Sequence, residues 1–248
     1  MFENKIAILG VTESWTHGEI GDAEINIIGY SIFRRDRDVG KGGKKRGGGV
    51  LLYVRDDLNA VEIDGREHKC ESLFVCIKIP SLGNLIVGVC YRSPNAGREE
   101  FEDLSKVIRK HTENAAIIMG DFNYGEIDWE TMDASAEEGE FLEMVQDCFL
   151  TQHVMKPTRD SNKTVDLVLS TEPGLIEEVE ILCPVANSDH YTVMFCIPLQ
   201  NNETLRKKQE VWCYNKADYN KICEQLESVQ WQSIVEGKDV QQEWFAIK

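Results

Sequence analysis

Seven short apolar runs constrain this chain more than any other feature: Ile6 to Val11, Val50 to Val54, Leu73 to Ile79, Leu85 to Tyr91, Ala115 to Met119, Val165 to Ser170 and Thr192 to Ile197. Each is rich in Val, Ile, Leu or aromatic residues and is closed off by Gly, Pro, Asn or Asp, which is how strands are punctuated. Two helical patterns fall between them. Phe101, Leu104, Val107 and Ile108 recur at helical spacing after the Asn95-Ala96-Gly97 turn, and Phe141, Leu142, Val145 and Phe149 do so further on. Many strands with few helices predict two packed sheets flanked by helices, rather than a regular strand-helix alternation.

The length of 248 residues suits one large α/β domain, or a domain with a tail. Past Pro198 the texture changes to a polar stretch, Gln200 to Glu210, and then to a helical pattern around Tyr219, Ile222 and Leu226. The expected division is therefore a domain over 1–198 and a linker with a helical segment over 199–248. No apolar run is long enough for a membrane span or a signal-peptide core, so no membrane partner is expected. The eight cysteines are scattered, with no C-x-x-C pair and no His at zinc spacing. That pattern reads as free thiols in a reducing compartment, with no disulfide-linked partner.

The formal net charge of −16 speaks, at first, against nucleic acid, because duplex affinity rests on Lys and Arg neutralising phosphates. The charge is uneven, however. Asp121 to Glu143 holds nine acidic residues and no Lys or Arg, and reads as an acidic helix that can face away from DNA. Arg34 to Arg46 holds seven basic and two acidic residues around a Gly-rich loop. Arg34, Arg35, Lys44, Lys45 and Arg46 are thus candidates for a DNA backbone contact.

Five segments place polar groups at or beside the ends of predicted strands. In Ile117-Ile118-Met119-Gly120-Asp121-Phe122-Asn123, a carboxylate and an amide two residues apart share a face of the extended chain, although a turn needs the same residues. Ser188-Asp189-His190 offers a carboxylate and an imidazole, or a chance surface pair. Thr12-Glu13-Ser14-Trp15 ends the first strand on a carboxylate, or caps a helix. Tyr91-Arg92-Ser93-Pro94-Asn95 delivers a phenol, a guanidinium and an amide suited to a phosphodiester. Asp166 interrupts the apolar run Thr164 to Leu169 and needs either solvent or a partner such as a His.

In this order, Glu13, Tyr91-x-x-Pro94-Asn95, Gly120-Asp121-Phe122-Asn123, Asp166 and Ser188-Asp189-His190 resemble the endonuclease/exonuclease/phosphatase superfamily. Gly47-Gly48-Gly49-Val50-Leu51-Leu52-Tyr53-Val54, Tyr91-Arg92-Ser93-Pro94-Asn95 and Phe122-Asn123-Tyr124-Gly125-Glu126-Ile127-Asp128-Trp129 look more specifically like the endonuclease domain of non-LTR (LINE, jockey-like) retrotransposons. The resemblance covers about residues 5 to 198. It implies a four-layer αββα sandwich of the DNase I type with a C-terminal helical appendix. It also implies phosphodiester hydrolysis assisted by Mg²⁺, with Mn²⁺ as a substitute.

By the same resemblance Glu13 would hold the metal with Asp189 nearby, and Asp121 would orient and deprotonate the attacking water. Asn123 would steady the phosphate or that water, and Tyr91, Asn95 and His190 would bind the phosphate. Asp166 would hydrogen-bond His190, and Arg92 and Arg98 would add substrate contacts. The implied partners are DNA and a reverse transcriptase domain of a longer polyprotein, with action in the nucleus. The family pattern opens with an Asn-bearing strand and a helix ahead of the Glu13 strand, so a first strand and helix are expected to be missing here. The alternatives are a vestigial remnant that binds DNA or does nothing, and a phosphatase of the same superfamily.

Overall fold

The computed structural model describes residues 6–37, 47–63, 70–136, 138–198 and 218–231. The chain divides into two compact units, 1–201 and 202–248. The strands of the first unit are β1 (Ile8–Thr12), β2 (Tyr30–Arg35), β3 (Val50–Arg55), β4 (Val61–Glu62), β5 (Glu71–Ile79), β6 (Gly83–Tyr91), β7 (Ala115–Asp121), β8 (Thr151–Gln152), β9 (Asp166–Ser170), β10 (Glu177–Leu182) and β11 (Thr192–Cys196). Its α-helices are α1 (Arg98–His111) and α2 (Gly139–Asp147).

The larger sheet has the order β4-β5-β6-β7-β9-β8, in which β6 and β7 run parallel and the other neighbours antiparallel. A parallel pair needs a long crossover. α1 supplies it, with Glu99 and Glu100 in its first turn and Arg109, Lys110 and His111 in its last, which matches the helix dipole at both ends.

Alternation along β5 to β9 divides the core in two. Phe74, Ile86, Cys90, Ile118, Leu167 and Leu169 pack under Leu104 and Ile108 of α1 and Phe141 and Val145 of α2. Leu73, Val75, Ile77, Val87, Val89, Ile117 and Val168 face the other way, against Val50, Leu52 and Val54 of β3. Burying side chains of this size contributes roughly 1.5–3 kcal/mol each, so a sheet covered on both faces is the main stabilising element. The opposing β layer consists of two smaller antiparallel sheets, β1-β3-β2 and β10-β11. Phe33, Val179, Val193 and Phe195 from these sheets are only partly buried against the core.

The architecture is an α/β sandwich of mixed sheets with few helices. Both α-helices of this unit, α1 and α2, pack on one face of the larger sheet. All seven apolar runs are strands. The short β4 and β8, and the charge-bearing β2 and β10, add to them. The acidic stretch that begins at Asp121 is mostly irregular chain, and its helix starts only at Gly139.

In the second unit the pattern around Tyr219, Ile222 and Leu226 forms α3 (Tyr219–Ser228). Asp218 caps it by accepting the Lys221 N–H at 3.1 Å. No helix among the described residues is long and apolar enough to cross a membrane.

Candidate active site

Three strands of the larger sheet bring Tyr91, Asp121 and Asp166 side by side: Tyr91 is in register with Asp121 across β6 and β7, and Asp121 with Asp166 across β7 and β9. Gly120 makes this possible. Its φ is +141°, and a Cβ there would stand 1.9 Å from the carbonyl oxygen of Cys90. A residue with a side chain cannot occupy that position without parting β6 from β7. The next turn is fixed by the Arg92 N–H donating to the Asp121 carbonyl at 2.9 Å and by the Phe122 N–H donating to Val165 at 2.9 Å. Asn123 then takes φ +52°, and its side-chain Nδ2 donates to the Arg92 carbonyl at 2.8 Å.

Asp121 is buried, with 3% of its surface exposed, and its Oδ1 accepts the Asn123 N–H at 3.1 Å. Burial first, and the negative charge of Asp166 second, push its carboxyl up to about 7, while His190 and Asn123 pull it down. His190 Nδ1 lies 2.9 and 3.1 Å from the two carboxylate oxygens of Asp166. That hydrogen bond raises the His190 pKa above its ordinary value, although burial opposes it. The geometry therefore assigns the Nδ1 proton to the Asp166 side and leaves Nε2 aimed at Asp121, 4.0 Å from its Oδ2. That distance is too long for a hydrogen bond, and one oxygen atom placed between the two groups can contact both.

Glu13 reaches the same region from the opposing β layer. Tyr91 Oη donates to its Oε1 at 2.5 Å, and Trp15 Nε1 donates to its Oε2 at 3.1 Å. Glu13 and Trp15 both adopt left-handed backbone, with φ +49° and +56°. The strained segment is held by Ser14 N–H on the Gly49 carbonyl (3.1 Å) and Trp15 N–H on that of Gly48 (3.0 Å). Burial raises the Tyr91 phenol pKa, followed by its bond to Glu13 and then the charges of Glu13 and Asp121, so this phenol keeps its proton and donates it in a hydrogen bond to Glu13.

Asp189 does not stand free. Arg159 Nε and Nη2 each lie 2.7 Å from its Oδ2, and this contact holds the carboxyl below its ordinary range. Arg159 is the residue that sequence reasoning missed. It sits in a turn-rich segment, and nothing in a single sequence marks its pairing across 30 positions.

The other candidates divide clearly. Asn95 is exposed in the turn after β6, and no hydrogen bond among the described residues ties it to the cluster. Arg92 stacks on the Tyr124 ring at 4.2 Å and donates to the carbonyls of Ala96 and Asn123, contacts that brace the loop. Arg98 pairs with Glu102 and Glu140 and fastens α1 to α2.

Arg34, expected to meet DNA from a basic loop, is a β2 residue whose donors are engaged by Asp36, Asp22 and the carbonyls of Ile20 and His17. Its role is to hold the segment after Trp15, through Asp36 and Thr16. Arg35 also lies in β2, and Lys44, Lys45 and Arg46 fall outside the described residues. A cavity of about 210 Å³ lined by Trp129, Met155, Pro157 and Thr164, among others, includes no residue of the cluster.

Two sets of groups could hold a divalent cation. Asp121, Asp166 and His190 each present a ligand atom within 4.8 Å of the others. Glu13 offers carboxylate oxygens that each accept a single hydrogen bond among the described residues, which leaves lone pairs for a hard cation that normally takes only one or two carboxylates.

Residues 85–194 match the family model described as "Endonuclease-reverse transcriptase". No curated protein sequence matches the chain. Among solved structures, the endonuclease domain of TRAS1, a telomere-specific non-LTR retrotransposon, aligns with a TM-score of 0.59 at 20% identity, over 79% of this chain and 87% of that one. The human Nocturnin catalytic domain, with bound sulfate, aligns at 0.50 with 14% identity, over 77% and 80%. An endonuclease/exonuclease/phosphatase from Beutenbergia cavernae aligns at 0.50 with 14% identity, over 76% and 61%.

Proposed function

With a fold of the endonuclease/exonuclease/phosphatase superfamily and a central segment matching an endonuclease-reverse transcriptase family as its premise, we propose that this chain is a divalent-metal-dependent endonuclease that nicks one strand of DNA. One observation carries the reading: a buried carboxyl at Asp121 faces an Asp166-bound imidazole across a 4.0 Å gap that fits a single oxygen. A carboxyl and an imidazole facing one another in this way suit an attacking water at Asp121 and a neighbouring phosphate oxygen at His190. The family description supports a wider setting in which the endonuclease is joined to a reverse transcriptase domain, and the likeness to the TRAS1 domain supports a retrotransposon polyprotein; action on nuclear DNA belongs to the same proposal.

In this mechanism Asp121, poised near neutrality, takes a proton from the attacking water, and the Asn123 N–H orients its carboxylate. His190, kept protonated by Asp166, donates Nε2–H to a phosphate oxygen as charge builds there. Tyr91 holds Glu13 in place and adds a donor at the same edge. Glu13 would hold Mg²⁺ or Mn²⁺, with Asp189 nearby, and the ion would supply charge neutralisation at the phosphate and the leaving oxygen.

The test is nicking of supercoiled plasmid. Purified protein should convert it to open circles with Mg²⁺ and not with EDTA, and Asp121→Asn or His190→Ala should lower the rate by roughly 10²–10⁴-fold, as for loss of a general acid or base. Folded wild-type protein that leaves plasmid intact at every Mg²⁺ and Mn²⁺ concentration refutes the reading.

A further inference from the structure

The site as built is short of positive charge. Glu13, Asp121, Asp166 and Asp189 contribute four carboxylates, and His190 is held by one of them. A phosphodiester brings a further negative charge, which grows toward the transition state. A cation of this chain with spare donors would offset that charge beside any metal.

Most of the nearby guanidinium groups are occupied. Arg34 is bound by Asp22 and Asp36, Arg37 by Glu71, Arg98 by Glu102 and Glu140, and Arg92 is braced under the loop. Arg159 differs from them. Its backbone forms an antiparallel bridge with His190, so the two side chains leave the same face. The bridge is pinned by the Asp160 N–H on the Asp189 carbonyl (3.2 Å) and by the Tyr191 N–H on that of Thr158 (2.8 Å).

Nε and Nη2 of Arg159 both meet the same oxygen of Asp189, which leaves Nη1 and the second Nη2 proton without a partner among the described residues. The bridge to His190 sets this guanidinium within electrostatic reach of Asp121, Asp166 and His190. A third of the side chain is exposed, enough for a substrate to reach it.

We propose that Arg159 is the phosphate clamp of the site: its guanidinium, paired with Asp189 in this structure, also takes a non-bridging oxygen of the scissile phosphate through its spare N–H groups, beside His190. The proposal rests on the phosphodiesterase reading and names the residue that meets the substrate's charge. The planar fork of arginine suits two phosphate oxygens at once, so lysine is a poor substitute.

The experiment compares wild type, Arg159→Ala and Arg159→Lys, each first shown to be folded by its melting curve. For Arg159→Ala we expect a 10²–10³-fold loss of kcat, the usual size for one lost oxyanion donor, given as an order of magnitude. Guanidinium chloride at millimolar levels should restore activity at least tenfold, with sodium chloride at equal ionic strength restoring none. Arg159→Lys should keep part of the activity and should not respond to guanidinium.

In EDTA, binding of a short duplex should show a slope of log affinity against log salt that is shallower by about 0.9 in Arg159→Ala, one phosphate contact. Loss without rescue and with an unchanged slope overturns the proposal and makes Arg159 a brace for the His190 loop. If wild type binds duplex but nicks nothing, the endonuclease reading fails, while the slope comparison still decides for or against Arg159.

Discussion

The two β layers hold their share of the site in different ways. Tyr91, Asp121 and Asp166 stand on β6, β7 and β9, strands with partners on both sides and core against both faces. Glu13 and His190 come from the ends of β1 and β11, strands whose own residues are at most partly buried and which have one partner each in their small sheets. The paired layer fixes its groups by backbone register, which costs no additional contacts. The half-covered layer needs local devices: left-handed residues at Glu13 and Trp15, carbonyls of Gly48 and Gly49, and side-chain bonds across layers such as Tyr91 to Glu13 and His190 to Asp166. The site therefore has a rigid half and a half that depends on its ties.

The strongest way to break the rigid half is Gly120→Ala. A methyl group 1.9 Å from the Cys90 carbonyl meets backbone, which cannot rotate away. We expect a loss above about 4 kcal/mol, outside the range of ordinary substitutions, read as a chain that fails to melt cooperatively. A cooperative transition within a few degrees of wild type would show that β6 and β7 tolerate separation. Second in size is the contrast between Phe74→Ala and Phe33→Ala. Phe74 is fully buried and stacks on His111 at 4.5 Å, whereas Phe33 is partly buried. The first should cost about 3–5 kcal/mol and the second well under half of that. Equal costs would refute the division into a rigid layer and a half-covered one.

What could be read in advance follows the same division. The buried strands announce themselves as unbroken apolar runs, and Gly120-Asp121-Phe122-Asn123 and Ser188-Asp189-His190 stand at strand ends, where order along the chain is enough to align them. β2 and β10 escaped because half-exposed strands carry charges, as in Tyr30–Arg35 and Glu177–Leu182. Arg34 was misplaced for a related reason. A count of basic residues in a segment cannot show that Asp22, twelve positions back, folds against one of them. The Arg159–Asp189 pair was hidden in the same way, since it forms only when the loop before β9 is laid beside the loop before β11.

The third prediction concerns the contact between the halves, in metal-free protein. The Asp121 carboxyl titrates at about 7 when folded, against an ordinary 3.8. Between those values the folded chain binds a proton that the unfolded chain has released, so stability falls as pH rises through this window and levels off above it. His190 acts in the same direction. Its pKa is raised, so its contribution is complete below the ordinary 6.5 and is lost as pH rises through the folded value. Melting temperature in EDTA should therefore drop from about pH 5 to about pH 8, and Asp121→Asn should flatten most of that drop. Parallel curves for the two proteins would mean that Asp121 is solvated and ionised like a surface carboxylate.

The smallest expected effect tests a single tie of the half-covered layer. Trp15 is 55% exposed, so its ring contributes little to the core, yet its indole N–H holds the second oxygen of Glu13. Trp15→Phe keeps the ring and removes that bond. An exposed hydrogen bond is worth about 0.5–1.5 kcal/mol, which corresponds to a loss of nicking rate of roughly two- to tenfold with little change in melting temperature. Trp15→Leu removes both ring and bond. If it matches Trp15→Phe, the indole serves only to aim Glu13; if it is much worse, the exposed ring face also meets the nucleic acid, and the half-covered layer contributes binding as well as a carboxylate. A full rate in Trp15→Phe would instead show that Tyr91 alone, reaching across from the rigid layer, is enough to hold Glu13 in place.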